Sequence, residues 1–347
     1  MKRIVFFLYY CLLYLAMLSC SKTNDISTTS TAPITSFAKG ADVSWLPQME
    51  ASNYVFKDLN NTTTDCLLLL KNRGINTIRL RVWVNPSNDA INGHCSKEET
   101  VAMAVRAKNM GMRIMIDFHY SDSWADPSKQ NKPMAWSNHS FIQLKEDVYN
   151  HTFEVLTLLK NAGITPEWVQ IGNEITSGML WPEGKYNNFS QLTQLVNQGY
   201  YATKASNSSI KVIVHLDEGN NNSKFRWFFD LATVYQMQYD VIGFSYYPYW
   251  LGTDYTASIS SLENNLNDMV TRYNKEVMIV EIGGDYTLVQ NTKDMLQKTI
   301  NIVKNIPNNK GLGVIYWEPQ AEKSWSNYQL NCWLSSGKPS PALDAFL

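Results

Sequence analysis

Short apolar runs rich in β-branched residues alternate with helical patterns along most of this 347-residue chain. Runs of this length between polar or glycine-containing segments are typical of buried strands. Eight such runs lie at Ala38–Val43, Thr77–Val82, Arg113–Phe118, Trp168–Ile171, Val212–Leu216, Val241–Phe244, Val277–Val280 and Gly313–Tyr316. Eight strands interleaved with helices predict a (β/α)8 TIM barrel, a fold that typically takes about 250 residues plus insertions.

The segments between these runs support the same architecture. Apolar residues recur at helical spacing in them, and Gly74, Gly111 and Gly163 stand where a helix ends before the next strand. A doubly wound open sheet is the alternative, but it more often carries a glycine-rich phosphate loop after its first strand, and the sequence has none there. We therefore predict one catalytic α/β domain over residues 38–347.

The N-terminus has the pattern of an export signal. Lys2 and Arg3 precede an apolar run, Ile4–Leu18, which is too short for a comfortable membrane span. Met17-Leu18-Ser19-Cys20 resembles a bacterial lipobox, which predicts a lipoprotein signal peptide over residues 1–19 and lipid on Cys20. A plain signal peptide with an incidental cysteine is the alternative. The Ser/Thr-rich segment 20–37 is predicted to be a tether.

Charge and aromatic content restrict the class of partner. The formal net charge is −1, so the chain has no basic surplus to neutralise phosphates, and nucleic acid is not expected as a partner. The 11 Trp and 19 Tyr residues suit a protein that packs aromatic rings against neutral sugars. We expect contact with a membrane through the lipid anchor only, and a monomer.

Three cysteines follow the tether: Cys66, Cys95 and Cys332. Their spacing matches no zinc pattern, and an odd number leaves at least one unpaired. Buried thiols and a single disulfide are both compatible with the sequence.

Two glutamates carry the strongest chemical signal. Glu174 follows the predicted fourth strand and Glu281 the seventh, each at a carboxyl end where a barrel side chain faces a substrate. Two carboxyl groups on such strand ends are the minimum set for acid/base and nucleophilic cleavage of a glycosidic bond. A helix cap or an ion pair with arginine is the alternative for an isolated Asn-Glu dipeptide such as Asn173-Glu174.

An ordered series of motifs resembles glycoside hydrolase family 53, the endo-β-1,4-galactanases. The matching segments are Gly40-Ala41-Asp42-Val43-Ser44, Arg79-Leu80-Arg81-Val82-Trp83-Val84-Asn85-Pro86, Asp117-Phe118-His119-Tyr120-Ser121-Asp122-Ser123-Trp124-Ala125-Asp126-Pro127, Gly172-Asn173-Glu174, Ser245-Tyr246-Tyr247-Pro248, Val280-Glu281 and Tyr316-Trp317-Glu318-Pro319. The resemblance implies a retaining endo-β-1,4-galactanase that hydrolyses galactan side chains of pectin or type I arabinogalactan. It assigns Glu174 as the acid/base and Glu281 as the nucleophile.

The same resemblance suggests the rest of the substrate-binding site. Arg79 is expected near Glu281, although a structural salt bridge remains open for the neighbouring Arg81. Asn173 and His119 are expected to bind sugar hydroxyls, with Asp117 orienting the imidazole or another basic group. A structural role is the alternative for His119. These candidates are completed by a tyrosine beside the nucleophile, an aromatic platform at the cleavage point and further cleft residues: Tyr247 (or Tyr246), Trp317, Trp124, Trp250, His215 and Asp217, with Trp181 as a further loop tryptophan. Packing within their own loops is the alternative for Trp124, Trp181 and Trp250.

The loop after Glu281 departs from the resemblance. Some bacterial relatives hold calcium in a longer loop here, whereas Ile282-Gly283-Gly284-Asp285-Tyr286 is short and has no calcium-loop spacing. We therefore expect neither metal nor cofactor. A related barrel glycanase for mannan, xylan or cellulose is one alternative, and a non-catalytic glycan-capture lipoprotein is another. The lipid signal predicts an outer-membrane location, on the cell surface or facing the periplasm.

Overall fold

The computed structural model describes residues 36–347, of which Phe37–Leu347 form one compact unit. The signal peptide, Cys20 and nearly all of the predicted tether lie outside the described residues. Within the part that is described, no helix is long and apolar enough to cross a membrane.

Eight parallel strands close into a barrel in chain order. They are β1 (Ala38–Asp42), β2 (Thr77–Val82), β3 (Arg113–Phe118), β4 (Trp168–Ile171), β5 (Lys211–Leu216), β6 (Val241–Tyr246), β7 (Glu276–Ile282) and β8 (Gly311–Trp317). β8 pairs with β1 and closes the ring. The predicted (β/α)8 barrel is confirmed, and the open sheet is excluded because no strand of the ring has a free edge.

Helices between the strands cover the outside of the barrel. They are α1 (Leu46–Ala51), α2 (Cys66–Asn72), α3 (Lys97–Asn109), α4 (Phe141–Asn161), α5 (Phe189–Ser206), α6 (Asn222–Val234), α7 (Ile259–Tyr273) and α8 (Val289–Lys304), with the short α9 (Lys323–Ser326) after β8. Gly74, Gly111 and Gly163 each follow a helix with φ between +72° and +87°, a conformation that glycine adopts without steric cost. The helix-stop prediction is therefore confirmed.

The apolar core has two parts because strand side chains alternate between the two faces of the barrel wall. A large layer packs between the strands and the helices, and includes Ile114 and Ile116. A smaller cluster of residues from the inward face includes Met115, Trp168, Ile213 and Val241. Further along the same strands the inward positions become polar, so a fixed apolar base supports the functional side chains at the carboxyl end.

The three cysteines of the described chain are all buried free thiols. The sequence left open whether these cysteines are buried thiols or include one disulfide, and the structure shows unpaired thiols. Among residues 36–347, no group of three or more His, Cys, Asp or Glu residues is placed to hold a metal ion.

Candidate active site

Glu281 lies near the carboxyl end of β7 and is 5% exposed. Its Oε1 is 2.9 Å from Arg79 Nη2, and its Oε2 accepts a hydrogen bond of 3.1 Å from the Tyr247 hydroxyl. Tyr246 instead hydrogen-bonds Ser258, 2.9 Å away, and the carbonyl of Tyr255. Of the two tyrosines that the sequence did not separate, Tyr247 is therefore the one that reaches the carboxylate.

A β-bulge aims Glu281 into the barrel. Phe244 on β6 pairs with Ile279, but the next residue, Ser245, pairs with Glu281, so β7 contains one extra residue at this point. Strict alternation from Met278, an inward residue of the apolar base, would turn Glu281 outward. The extra residue reverses that orientation, as bulges beside active sites often do.

Arg79 is a fully buried hub under the carboxylate. Besides Glu281 it binds Asp42 and Asp117, each at 2.8 Å, and it donates to the side-chain oxygen of Asn173 at 3.1 Å. A buried guanidinium surrounded by carboxylates stays charged and fixes the orientation of each partner. Arg79 thus connects β1, β2, β3 and β7 at the base of the site.

Glu174 follows β4 in the left-handed conformation, with φ 46° and ψ 53°. Gly172, with φ +77°, precedes it, and together they turn the chain sharply at the strand end. The carboxyl group is half-buried, and its Oε1 lies 2.6 Å from the Ser245 hydroxyl. Positive φ at a residue other than glycine is uncommon and is concentrated at functional sites.

The two carboxyl groups have different environments, and this separates their titration. Burial raises the pKa of Glu281 to about 7, against the opposing attraction of Arg79. Burial, and then the charge of Glu281, raise the pKa of Glu174 well above its usual range. Because Arg79 pairs with Glu281 and not with Glu174, Glu281 ionises first and Glu174 keeps its proton. Such a pair can supply one nucleophile and one proton donor.

Both glutamates line an open cleft of about 530 Å³ at the carboxyl end of the barrel. The predicted residues Asn173, His119, Tyr247, Trp317, Trp124, Trp250 and Asp217 line it as well. Trp181 is not among the lining residues, and its indole nitrogen donates to the carbonyl of Ser177 instead.

Three residues predicted for the substrate-binding site do not reach the cleft. Arg79, Asp117 and His215 are 0% exposed, because each points inward from a strand below the level of the glutamates. Each of them contacts a residue that lines the cleft: Arg79 pairs with Glu281, Asp117 with His119 and His215 with Ser245. Asp117 does orient His119 as expected, at 2.9 Å from Nε2, while Nδ1 accepts from the Ala125 amide at 3.3 Å.

An aromatic wall stands beside the glutamates. Trp317 packs edge-on against Trp45, Trp124 and Tyr328, with ring centroids 5.3, 5.9 and 4.8 Å away. Edge-to-face packing at these separations fixes the planes of the rings. The wall therefore offers preset apolar faces to a ligand in the cleft.

Arg81 and Glu318 form a buried ion pair behind this wall. The carbon at the centre of the Arg81 guanidinium lies 4.4 Å from the Trp124 ring centroid and also faces Trp45 and Trp83. Glu318 accepts hydrogen bonds from the Trp45 amide and from Gln320 Nε2, and burial raises the pKa of its carboxyl group while the Arg81 guanidinium opposes that shift. The salt bridge that the sequence left open for Arg81 is present, and it supports the tryptophans.

Replacing Arg81 with methionine is expected to lower the free energy of unfolding by about 3–5 kcal/mol, because the substitution strands Glu318 without its cation in the interior. Urea unfolding at neutral pH measures this. Arg272→Met is the matched control, since Arg272 pairs with Asp230 on the surface and its loss should change little. Equal midpoints for Arg81→Met and the unsubstituted protein would refute a supporting role for the pair.

Comparison with known proteins gives the chain its family. The sequence profile of glycosyl hydrolase family 53 matches residues 38–342. The chain belongs to glycosyl hydrolase family 53. It is a glycoside hydrolase, and the resemblance carried by its motifs is confirmed.

Individual relatives agree with this assignment. A probable arabinogalactan endo-β-1,4-galactanase A of Aspergillus fumigatus is 34% identical, with 81% of this chain and 83% of the relative covered. The family 53 catalytic domain of Ignisphaera aggregans superposes with a TM-score of 0.82 at 31% identity, covering 91% of this chain and 97% of that one. A structure from a study of two fungal β-1,4-galactanases superposes with a TM-score of 0.81 at 30% identity, covering 89% of this chain and 98% of that one.

Sequence reasoning missed several residues of this family 53 site. Ser245 and Glu318 lie inside the Ser245–Pro248 and Tyr316–Pro319 motifs, so the sequence does carry a local signal for both residues. Trp45 directly follows the Gly40–Ser44 motif. Tyr328 had no local signal, because only the packing of the loop after β8 brings it to Trp317 and the cleft.

Proposed function

We propose that the protein is a retaining endo-β-1,4-galactanase that hydrolyses β-1,4-galactan side chains of pectin or type I arabinogalactan. The observation that carries the proposal is the pair of strand-end glutamates, one bonded to Arg79 and the other to Ser245, in a family 53 chain. The name of the Aspergillus relative supports galactan as the substrate.

In the first step, a Glu281 carboxylate oxygen attacks the anomeric carbon from the face opposite the leaving sugar. The glycosidic C–O bond breaks, and the departing oxygen takes the proton of Glu174. The product is a galactosyl ester on Glu281. Arg79 and Tyr247 hold the attacking carboxylate in one orientation, by an ion pair of 2.9 Å and a hydrogen bond of 3.1 Å.

In the second step, water attacks the anomeric carbon of the ester. Ionised Glu174 takes a proton from the water, and Glu281 leaves as a carboxylate. Two inversions at one carbon retain its configuration. Loss of the galactosyl group restores the initial protonation of both residues, so the pair begins the next cycle unchanged.

The form of the cleft suits a polymer cut in its interior. Trp317 stands beside the glutamates, while Trp250 is 65% exposed on the loop after β6, at the rim. An open groove with aromatic faces at the centre and at the rim can take a chain that continues past the cleavage point on both sides. Neutral galactan also suits a protein whose net charge is −1.

Product analysis tests the proposal. The full-length protein is incubated with linear β-1,4-galactan, and parallel samples contain mannan, xylan and carboxymethylcellulose. A ladder of galacto-oligosaccharides from galactan alone is expected. Cleavage of another polymer instead would favour a related barrel glycanase, and no cleavage of any polymer would favour a glycan-capture lipoprotein.

Trp250→Ala tests the role of the cleft rim. We expect a roughly 2–10-fold loss of kcat/KM on long galactan, equivalent to an aromatic contact of about 0.5–1.5 kcal/mol. An aryl galactobioside should show a smaller change, because it is much shorter than galactan and makes fewer contacts along the cleft. Trp227→Ala is the control, since Trp227 is 41% exposed but does not line the cleft. Equal losses on both substrates would contradict a rim contact.

We also propose that lipid on Cys20 anchors the enzyme to the bacterial outer membrane, on the cell surface, with segment 20–37 as its tether. A polymer too large to import is most usefully cut outside the cell. Cys20→Ser is expected to move the protein from the membrane fraction to the soluble fraction. Protease treatment of intact cells distinguishes surface from periplasmic exposure, and a membrane-bound Cys20→Ser protein would contradict lipid anchoring at this cysteine.

A further inference from the structure

Ser245 lies between Glu174 and a buried histidine. It sits on β6 with 1% exposure, and its hydroxyl oxygen is 2.6 Å from Glu174 Oε1 and 2.8 Å from His215 Nε2. His215, on β5, is fully buried and does not reach the cleft. The three side chains form a continuous hydrogen-bonded chain from the barrel interior to the proton donor.

The backbone amide of Glu174 determines which atoms donate and which accept in this series of hydrogen bonds. The Glu174 amide N–H donates to His215 Nδ1 at 3.4 Å, and an amide nitrogen can only donate. If His215 Nδ1 carried a proton, that hydrogen would lie against the hydrogen of the Glu174 amide. Asn173 Oδ1 also lies 3.1 Å from Nδ1, but it already accepts from Arg79 and faces the Gln170 amide at 3.0 Å. The proton of neutral His215 therefore lies on Nε2.

It follows that His215 Nε2–H donates to the Ser245 oxygen, and the Ser245 hydroxyl donates to Glu174 Oε1. A proton on Oε1 would leave the serine oxygen facing two donors and the serine hydrogen without an acceptor. Burial, then Arg79 and His119, lower the pKa of His215 well below its usual range, so the ring stays neutral through the catalytic cycle.

We propose that Ser245 and His215 are positioning residues that keep the transferable proton of Glu174 on Oε2. This inference rests on the proposed function. Oε2 has no hydrogen-bond partner among residues 36–347, while the side chain lines the cleft, so it is the oxygen open to a substrate. The same oxygen then gives the proton to the leaving sugar and takes one from water, without rotation of the carboxyl group between steps.

The arrangement also affects how Glu174 titrates. The groups facing it are Glu281 from β7, Asp217 after β5, Asp126 after β3, Ser245 from β6, Tyr247 after β6 and Tyr328 after β8. Burial and the three carboxylates raise its pKa, while the Ser245 hydrogen bond stabilises the ionised form and lowers it. Loss of the hydroxyl therefore raises the pKa of Glu174. The alkaline limb of kcat/KM, where the acid loses its proton, moves to higher pH.

Ser245→Ala in the full-length protein separates this role from a structural one. On galactan, whose leaving sugar needs the proton, we expect kcat/KM to fall about 10–100-fold, a part of the usual acid/base contribution. On dinitrophenyl β-galactobioside, whose leaving group needs none, we expect a loss below about threefold. Ser258→Ala, which removes a buried hydroxyl bonded to Tyr246 outside the cleft, should change neither.

His215→Phe in the Ser245→Ala background tests the order of the chain. If His215 acts through Ser245, the second substitution adds little to the loss that Ser245→Ala causes on galactan. Equal losses on both substrates with an unmoved alkaline limb, or full additivity of the two substitutions, would overturn the inference. An unsubstituted protein that hydrolyses neither substrate would instead refute the proposed function.

Discussion

Glu281→Ala is expected to lower kcat on galactan by about 10⁴-fold or more, the scale on which removal of a covalent nucleophile acts. Affinity for galacto-oligosaccharides should persist, because Trp124, Trp250 and Trp317 remain on the cleft wall. Substrate binding and the chemical barrier are separable when the lost interaction is made only in the reaction. Steady-state kinetics on galactan, with titration calorimetry of oligosaccharide binding, measures the two quantities.

Azide rescue makes this prediction specific to a nucleophile. The alanine leaves a small space beside Arg79, where an azide anion can attack the anomeric carbon while Glu174 still protonates the leaving group. The expected product from dinitrophenyl β-galactobioside is the α-glycosyl azide, because one displacement inverts the carbon. Activity of Glu281→Ala near that of the unsubstituted protein, or rescue that gives the β-azide, would rule out Glu281 as the nucleophile.

The barrel was predictable because its evidence is local. Each strand contains a short run rich in β-branched and other apolar residues, and β2, β3 and β4 have the predicted bounds. The later strands β7 and β8 extend beyond the predicted runs at both ends. β7 gains Glu276 and Glu281 in this way, and apolar content alone does not identify such polar positions as strand.

The orientation of Glu281 was not predictable, because it depends on a bulge between two strands. Counting from Met278 with a period of two gives the wrong face, and only the pairing of Ser245 with Glu281 corrects it. The contacts of Tyr247 and His215 were not predictable for the same reason, because they depend on how neighbouring strands lie together. Nothing in the sequence distinguishes Tyr247 from Tyr246, or makes His215 a buried residue rather than a cleft residue, until β5, β6 and β7 lie side by side.

The charges under the cleft explain why two similar glutamates behave differently. Asp42, Asp117 and Glu281 surround Arg79, while Glu318 pairs with Arg81, so carboxylates outnumber guanidinium groups. A further buried negative charge at Glu174 has no cation to face. Its proton is therefore retained, and the asymmetry between acid and nucleophile comes from where the two arginines of β2 point.

Glu174→Ala is accordingly expected to impair the two chemical steps differently. On galactan, kcat/KM should fall by about 10²–10⁴-fold, the usual contribution of a positioned acid or base. On dinitrophenyl β-galactobioside the first step needs no proton, so the ester on Glu281 should form at nearly the normal rate and then accumulate. Stopped-flow measurement should show a burst of dinitrophenol followed by slow turnover and a lowered KM.

Azide should again identify the missing group, now with the opposite stereochemistry. Azide needs no general base, so it should attack the accumulated galactosyl ester, restore turnover and give the β-glycosyl azide with retained configuration. Asp217→Asn is the matched control, because Asp217 also lines the cleft and faces Glu174 but lies after β5 and pairs with Lys224. The Asp217→Asn protein should show neither the burst nor the azide effect. A Glu174→Ala protein that hydrolyses galactan at the normal rate would refute the acid/base role, and an α-azide product would reverse the assignment of the two glutamates.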